Sequence, residues 1–126
     1  MDAAQALADL TEISSQVEAA VLFDESGSVA ASTLDSEDAA ALARTAGELL
    51  HQAGSLTGGH RVTQVEASTP LGSVFVVHDG TRGIAATTGA DPTTGLVFYD
   101  LKSCLRDSEE QKPRRRRAAK KAADEA

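Results

Sequence analysis

The chain has little with which to staple, span or catalyse. It holds a single cysteine, Cys104, so no disulfide can close within one copy. It has no tryptophan and aromatics make up 3% of residues. The core must therefore be assembled from Ala, Val, Leu and Ile, and a core of small side chains leaves a short domain little stability in reserve. No apolar run approaches the roughly 20 residues that cross a bilayer as a helix. The opening Met1-Asp2-Ala3 has no basic stretch followed by an apolar one, which excludes a signal-peptide reading and predicts a cytoplasmic protein with no integral membrane part.

Positive charge is also scarce until the end. Residues 1–110 carry 5 Lys/Arg against 17 Asp/Glu, a net of −12, whereas residues 111–126 carry 7 against 2, a net of +5. An acidic body is a poor match for phosphate backbones. The division predicts one domain over 1–110 and a basic, disordered tail over 111–126, where charge displaces apolar periodicity.

Within the body the apolar residues are patterned. Ala3, Ala6, Leu7, Leu10 and Ile13 recur at helical spacing and predict a helix over about 3–15. Val17 to Asp24 is nearly all apolar, with Val17, Ala19, Val21 and Phe23 on one side and Ala20 and Leu22 on the other, as in a strand covered on both faces. Glu25-Ser26-Gly27 turns the chain and Ser28 to Thr33 returns it. Asp35 caps a long helix over about 36–56, with Leu42, Ala46, Leu49, Ala53 and Leu56 in one stripe and Ala39, Ala43 and Leu50 beside it. Arg61 to Ser68 alternates, with Val65 and Ala67 opposed to Gln64 and Glu66. After the Thr69–Gly72 turn, Ser73 to His78 is a second doubly apolar strand, and Ile84 to Thr88 a fifth strand beyond the loop 79–83. Asp91-Pro92 predicts the cap and first residue of a last helix that buries Val97, Leu101, Cys104 and Leu105 and runs to about 106. The expected class is α+β, a five-stranded antiparallel sheet in the order αββαβββα, with the long helix on one face and the terminal helices on the other.

The LFDESGSVAAS hairpin, the long Ala/Leu helix, the TPLGSVFVVHDG hairpin and the ADPTTGLVFYDL helix resemble, in this order and spacing, the Roadblock/dynein light chain family in its bacterial form. The resemblance covers residues 3 to about 106. It implies a Roadblock/profilin-like fold and a homodimer or heterodimer in which the third strand and the long helix meet their counterparts. On this chain that interface falls on Leu42, Ala46, Leu49, Ala53, Val62, Gln64 and Glu66. It also implies a scaffold or regulator of small Ras-like GTPases, some bacterial members acting by reshaping the GTPase's own switch loops. The family supplies no catalytic motif, and it does not account for the basic tail.

The residues themselves point to no catalysis and no cofactor. His51, His60 and His78 lie on a helix, a loop and a strand without the paired spacing of metal ligands. Cys104 belongs to an apolar helix face. Leu71-Gly72-Ser73-Val74 lacks the second glycine of a nucleophile elbow. Gly80-Thr81-Arg82-Gly83 is too short for a phosphate loop and leads into no helix. Asp24-Glu25 and Glu37-Asp38 suit a turn and a helix start. Arg44, Arg61 and Arg82 are candidate arginine fingers, Arg82 being the most exposed on a hairpin tip, but surface solubility and ion pairing are the favoured explanation of each. In the tail, Arg114, Arg115, Arg116, Arg117, Lys120 and Lys121 offer weak contacts to nucleic acid, an anionic membrane or an acidic subunit, with no aromatic to stack on bases. A binding protein for a small GTPase is the leading expectation. The rivals are a scaffold without effect on hydrolysis, a small-ligand sensor with a deep apolar pocket, and a nucleic-acid-associated protein acting through its tail.

Overall fold

The computed structural model describes residues 2–108, so the predicted tail lies outside the described residues. Helix α1 covers Ala3–Ile13, with the Asp2 carboxylate accepting from the Gln5 N–H at its start. Strands β1 (Val17–Phe23) and β2 (Val29–Ser32) form the first hairpin. Helix α2 covers Ser36–Leu56, and strands β3 (Gln64–Thr69), β4 (Gly72–His78) and β5 (Gly83–Thr88) follow. A last helix, α3, begins at residue 94 and occupies the described chain to 108. The αββαβββα order is the one the sequence predicts.

All strand pairs are antiparallel and the sheet order is β2-β1-β5-β4-β3. The doubly apolar β1 and β4 flank β5 in the interior. The two edges are the four-residue β2 and the six-residue β3. At Gly72 the absence of a side chain lets β4 lie close to β5, because a Cβ there would strike the Thr88 carbonyl oxygen.

Helices cover both faces. α1 and α3 pack Leu7, Leu10, Val97, Leu101 and Leu105 against Ala20, Leu22, Phe75, Val77 and Ile84. Phe75 and Phe98 meet edge to face there, their centroids 5.0 Å apart, a geometry that adds about 0.5–1.5 kcal/mol beyond area burial. On the other face α2 presses Ala39, Ala43 and Ala46 onto Val21, Phe23, Val76 and Ala85. Three alanines at helical spacing let that helix lie close to the sheet, so few large side chains are needed to seal this side.

Two local expectations change. Val17 packs with Ala20 and Leu22 on the α1/α3 face, not with Val21 and Phe23. The register of β1 against β5 shifts between Val17 and Ala19, and the extra residue flips the side chain. Asp91 does not cap α3. It sits at φ 55°, a left-handed conformation that a helix-capping residue does not take, and the helix starts two residues after Pro92. The Thr93 N–H is held instead by the Gln16 side chain at 2.6 Å. At the end of α2, Gly58 and Gly59 have φ of 70° and 86°, and the Gly59 N–H donates to the Gly54 carbonyl at 3.2 Å. That is the six-to-one bond of a Schellman termination.

Candidate interaction surface

Strand β3 pairs with β4 on one side only. In an antiparallel pair, residues directly opposite each other share a face. Glu66 lies opposite Phe75 and Gln64 opposite Val77, both of which belong to the α1/α3 core. Val65 lies opposite Val76 and Ala67 opposite Val74, which belong to the α2 side. Thus Gln64 and Glu66 are exposed on the face away from α2, and Val65 and Ala67 are half-buried on the face that α2 covers. The Glu66 carboxylate accepts from Ser68 Oγ at 2.9 Å and from Thr94 Oγ1 at 3.4 Å, which ties the edge strand to the start of α3.

The structure therefore separates residues that the interface expectation grouped. Leu42, Leu49 and Ala53 lie along α2 and are half-buried, the two leucines packing against the core on that side. Ala46 is 0% exposed and has no surface to offer a partner. Val62 is half-buried in the segment before β3. Gln64 and Glu66 are on the opposite face of the sheet. Val65, Ala67 and Val74, which the interface expectation did not include, make with Leu42 and Leu49 a half-buried apolar band on the α2 side. The alternation along β3 carried this signal, but deciding which of its faces meets α2 requires the register with β4. Leu56 is 88% exposed at the end of the helix.

A surface cleft of about 640 Å³ lies between the C-terminal half of α2, the β1–β2 turn and the segment before β3. All three histidines line it, with Arg61, Asp24, Glu25, Phe23 and Leu50 among their neighbours. It is a mixed polar cleft, unlike the deep apolar pocket that a small-ligand sensor calls for. Asp24 accepts from the Ser26 N–H, the Ser26 hydroxyl and the Ser28 N–H at 2.7–3.0 Å, so it holds the turn together. His78 Nδ1 accepts from the Gly80 N–H at 3.1 Å, and its ring stacks on Phe23. Among the described residues no group of three or more His, Cys, Asp or Glu is placed to hold a metal ion.

The arginines separate too. Arg44 and Arg61 are exposed. Arg82, expected to be the most exposed, is half-buried, and its Nη2 donates to the Leu105 carbonyl at 3.0 Å. The β4–β5 loop folds back onto α3, because Asp79 gathers the Thr81 and Arg82 N–H groups at 2.9 and 2.8 Å and turns the arginine inward. Cys104 is buried and its Sγ donates to the Ala6 carbonyl at 3.4 Å. Burial, then Asp107 and Asp9, push its pKa up to about 12, with Arg82 opposing. It behaves as the core residue the sequence suggests. The tail cations Arg114 to Arg117, Lys120 and Lys121 lie outside the described residues, and no helix of the described chain is long and apolar enough to cross a membrane.

A five-stranded antiparallel sheet between one long helix and two terminal helices, open along β3, is the fold of Roadblock/LC7 domains. A Roadblock/LC7 domain from Streptomyces avermitilis matches with a TM-score of 0.77 over 88% of this chain and 98% of that chain, at 21% identity. Myxococcus xanthus MglB matches with a TM-score of 0.64 over 88% of this chain and 85% of that chain, at 15% identity. An MglB with a tetrameric arrangement matches at 0.61 over 82% of this chain and 85% of that chain, at 17% identity. No family model and no curated protein matches the sequence.

Proposed function

We propose that this chain is a non-catalytic, Roadblock-type dimeric adaptor that binds a small Ras-like GTPase and regulates its GTP hydrolysis. The observation that carries the reading is the uncovered β3 edge beside the apolar band of Leu42, Leu49, Val65, Ala67 and Val74. An open strand edge is a template for another strand, and a flanking apolar band favours a stable partner over water. A second copy supplies a matching edge and band at once. The fold shared with MglB supports the GTPase as the further partner. The basic segment 111–126 acts as a tail that assists partner capture.

The test measures two things on the full-length protein. Sedimentation at tens of micromolar is expected to give a dimer. Single-turnover GTP hydrolysis by a small Ras-like GTPase from the same genome, with and without this protein, is expected to differ by tenfold or more. A stable complex with unchanged hydrolysis would support the scaffold reading instead. A monomer that captures no GTPase would refute the proposal.

A further inference from the structure

The cleft beside the C-terminal half of α2 gathers basic groups in an otherwise acidic body. A second depression of about 520 Å³ adjoins it, the two sharing Gly27, Ala43, Gly47 and His51. Residues 1–108 hold 5 Lys/Arg and 3 His against 15 Asp/Glu. Of these, Arg44, Arg61 and all three histidines line the joined groove, with only Asp24, Glu25 and Glu48 of the acids. Asp24 is engaged by its own turn, through the N–H groups of Ser26 and Ser28.

The donors are held in place. Each imidazole keeps at least one N–H whether neutral or charged. At His78, Nδ1 accepts from the Gly80 N–H, so the ring proton sits on Nε2. A Cβ on Gly80 would stand 2.5 Å from Arg61 Nη1, so the guanidinium rests on bare backbone of the β4–β5 loop. Among the described residues no hydrogen bond or ion pair engages the side chains of Arg61, His51 or His60. The negative end of the α2 dipole opposes an anion here, but the carbonyls of His51 and Gly54 already accept from the Ser55 hydroxyl and the Gly59 N–H.

Two glycines of α2 add a separate observation. Gly47 and Gly54 interrupt a helix rich in alanine and leucine, and glycine inside a helix costs stability relative to alanine. No close approach requires them, because a Cβ at either position would meet nothing within 4 Å. Both line the cleft. What their missing side chains keep clear is the groove itself.

We propose that this groove binds a small phosphorylated molecule, its phosphate held by Arg61 and the histidine N–H groups and its organic part lying along Gly47 and Leu50. A phosphate ester has three terminal oxygens and accepts from several directions at once, which a two-oxygen carboxylate matches less well. At about 640 Å³ the cleft has room for both parts. Buried Ala43 and half-buried Leu50 and Val62 give the organic part an apolar wall. The groove opens on the flank of α2 that faces the β1–β2 turn, whereas Leu42 and Leu49 lie on the flank toward Val74. The site is therefore separate from the proposed dimer surface, and either can fail alone.

The chain has three histidines, all in this groove, so imidazole NMR signals report on it directly. Full-length protein near pH 7 is titrated with phenyl phosphate, which joins a phosphate ester to an apolar ring, and in parallel with phenol and with inorganic phosphate. Phenyl phosphate is expected to move the signals of all the histidines along one saturating curve, with a Kd of about 1 mM or tighter. Phenol and inorganic phosphate each carry part of the ligand and are expected to bind roughly tenfold more weakly. Arg61→Gln is expected to weaken phenyl phosphate about tenfold. Gly47→Leu fills the groove and is expected to abolish binding while the thermal midpoint stays level or rises, because leucine replaces a poor helix former. That combination separates loss of the site from loss of the fold. No saturating shift with phenyl phosphate would overturn the proposal. So would phenol binding as tightly as phenyl phosphate, or unchanged binding in both Arg61→Gln and Gly47→Leu.

Discussion

Asp35 and Asp91 look alike in sequence, each an acidic residue ahead of a helical pattern, yet they do opposite things. Asp35 has extended backbone and its carboxylate accepts from the Asp38 N–H at 2.8 Å, satisfying a donor at the start of α2 that has no partner within the helix. Asp91 has φ 55° and caps nothing. Asp35→Ala is expected to lower stability by about 1 kcal/mol, and Asp91→Gly to leave it unchanged or raise it by up to about 1 kcal/mol, since glycine takes the left-handed conformation without a Cβ clash. Urea midpoints of the two variants check the contrast, and a loss at Asp91→Gly would show that its side chain has a role. Cys104 supplies a second test at this scale. Its thiol titrates near 12 in the folded chain against an ordinary value of 9.0. Between those values the folded state holds a proton that the unfolded state has released. The stabilisation is therefore fully present below pH 9 and falls as pH rises toward 12, by roughly 1 kcal/mol per pH unit. Cys104→Ser removes that dependence, so wild type and variant should diverge in slope above pH 9. Alkylation at pH 8 should be slow unless the chain is unfolded.

At the scale of the element, the proposed interaction surface rests on β3 and α2. Leu49 is half-buried on the flank of α2, so Leu49→Asp should dissociate the proposed dimer while costing the protomer about 1–3 kcal/mol. Ala46 is fully buried, so Ala46→Asp should unfold the chain outright, and circular dichroism beside sedimentation separates the two outcomes. A Leu49→Asp protein that stays folded and dimeric would place the interface elsewhere. Gly72→Ala should cost about 1–3 kcal/mol, because the new methyl meets a backbone carbonyl of β5 that has no freedom to move. Most of this architecture could be read from the chain. The double apolar pattern of Val17–Asp24 and Ser73–His78 marked interior strands, whereas the spacing along α2 put Ala46 in a different stripe from Ala39 and Ala43, and the structure buries all three together. Pairwise contacts remote in sequence were not legible. The bulge that turns Val17 depends on the pairing of β1 with β5, and the face of Gln64 and Glu66 depends on β4. The inward turn of Arg82 depends on a carbonyl of α3, 23 residues further on. Asp91-Pro92 misled because its local chemistry suits a cap, while the Gln16 side chain, 77 residues away from Thr93, sets where the helix begins.

At the scale of the whole molecule the sequence divides its charge. Residues 1–110 carry a net −12 and residues 111–126 a net +5. The tail sequence offers seven Lys/Arg and no aromatic or large aliphatic side chain, so it has little to bury against the entropy of ordering. Its removal should leave the thermal midpoint unchanged. Its charges should still act on partner capture, because attraction between a cationic segment and an acidic surface works at long range and mainly raises the association rate. That attraction weakens as salt shortens the screening length from roughly 10 Å at 0.1 M toward 3 Å at 1 M. Association rates of full-length protein and of residues 1–110 with the proposed GTPase partner, at those two salt concentrations, test the idea. Full-length protein should associate faster at low salt, and the two should converge at high salt with dissociation rates little changed. Equal rates at both concentrations would remove the tail from partner capture. A large drop in thermal midpoint on truncation would show that it packs on the body, and its basic charge would then have to be explained by contacts within the protein itself.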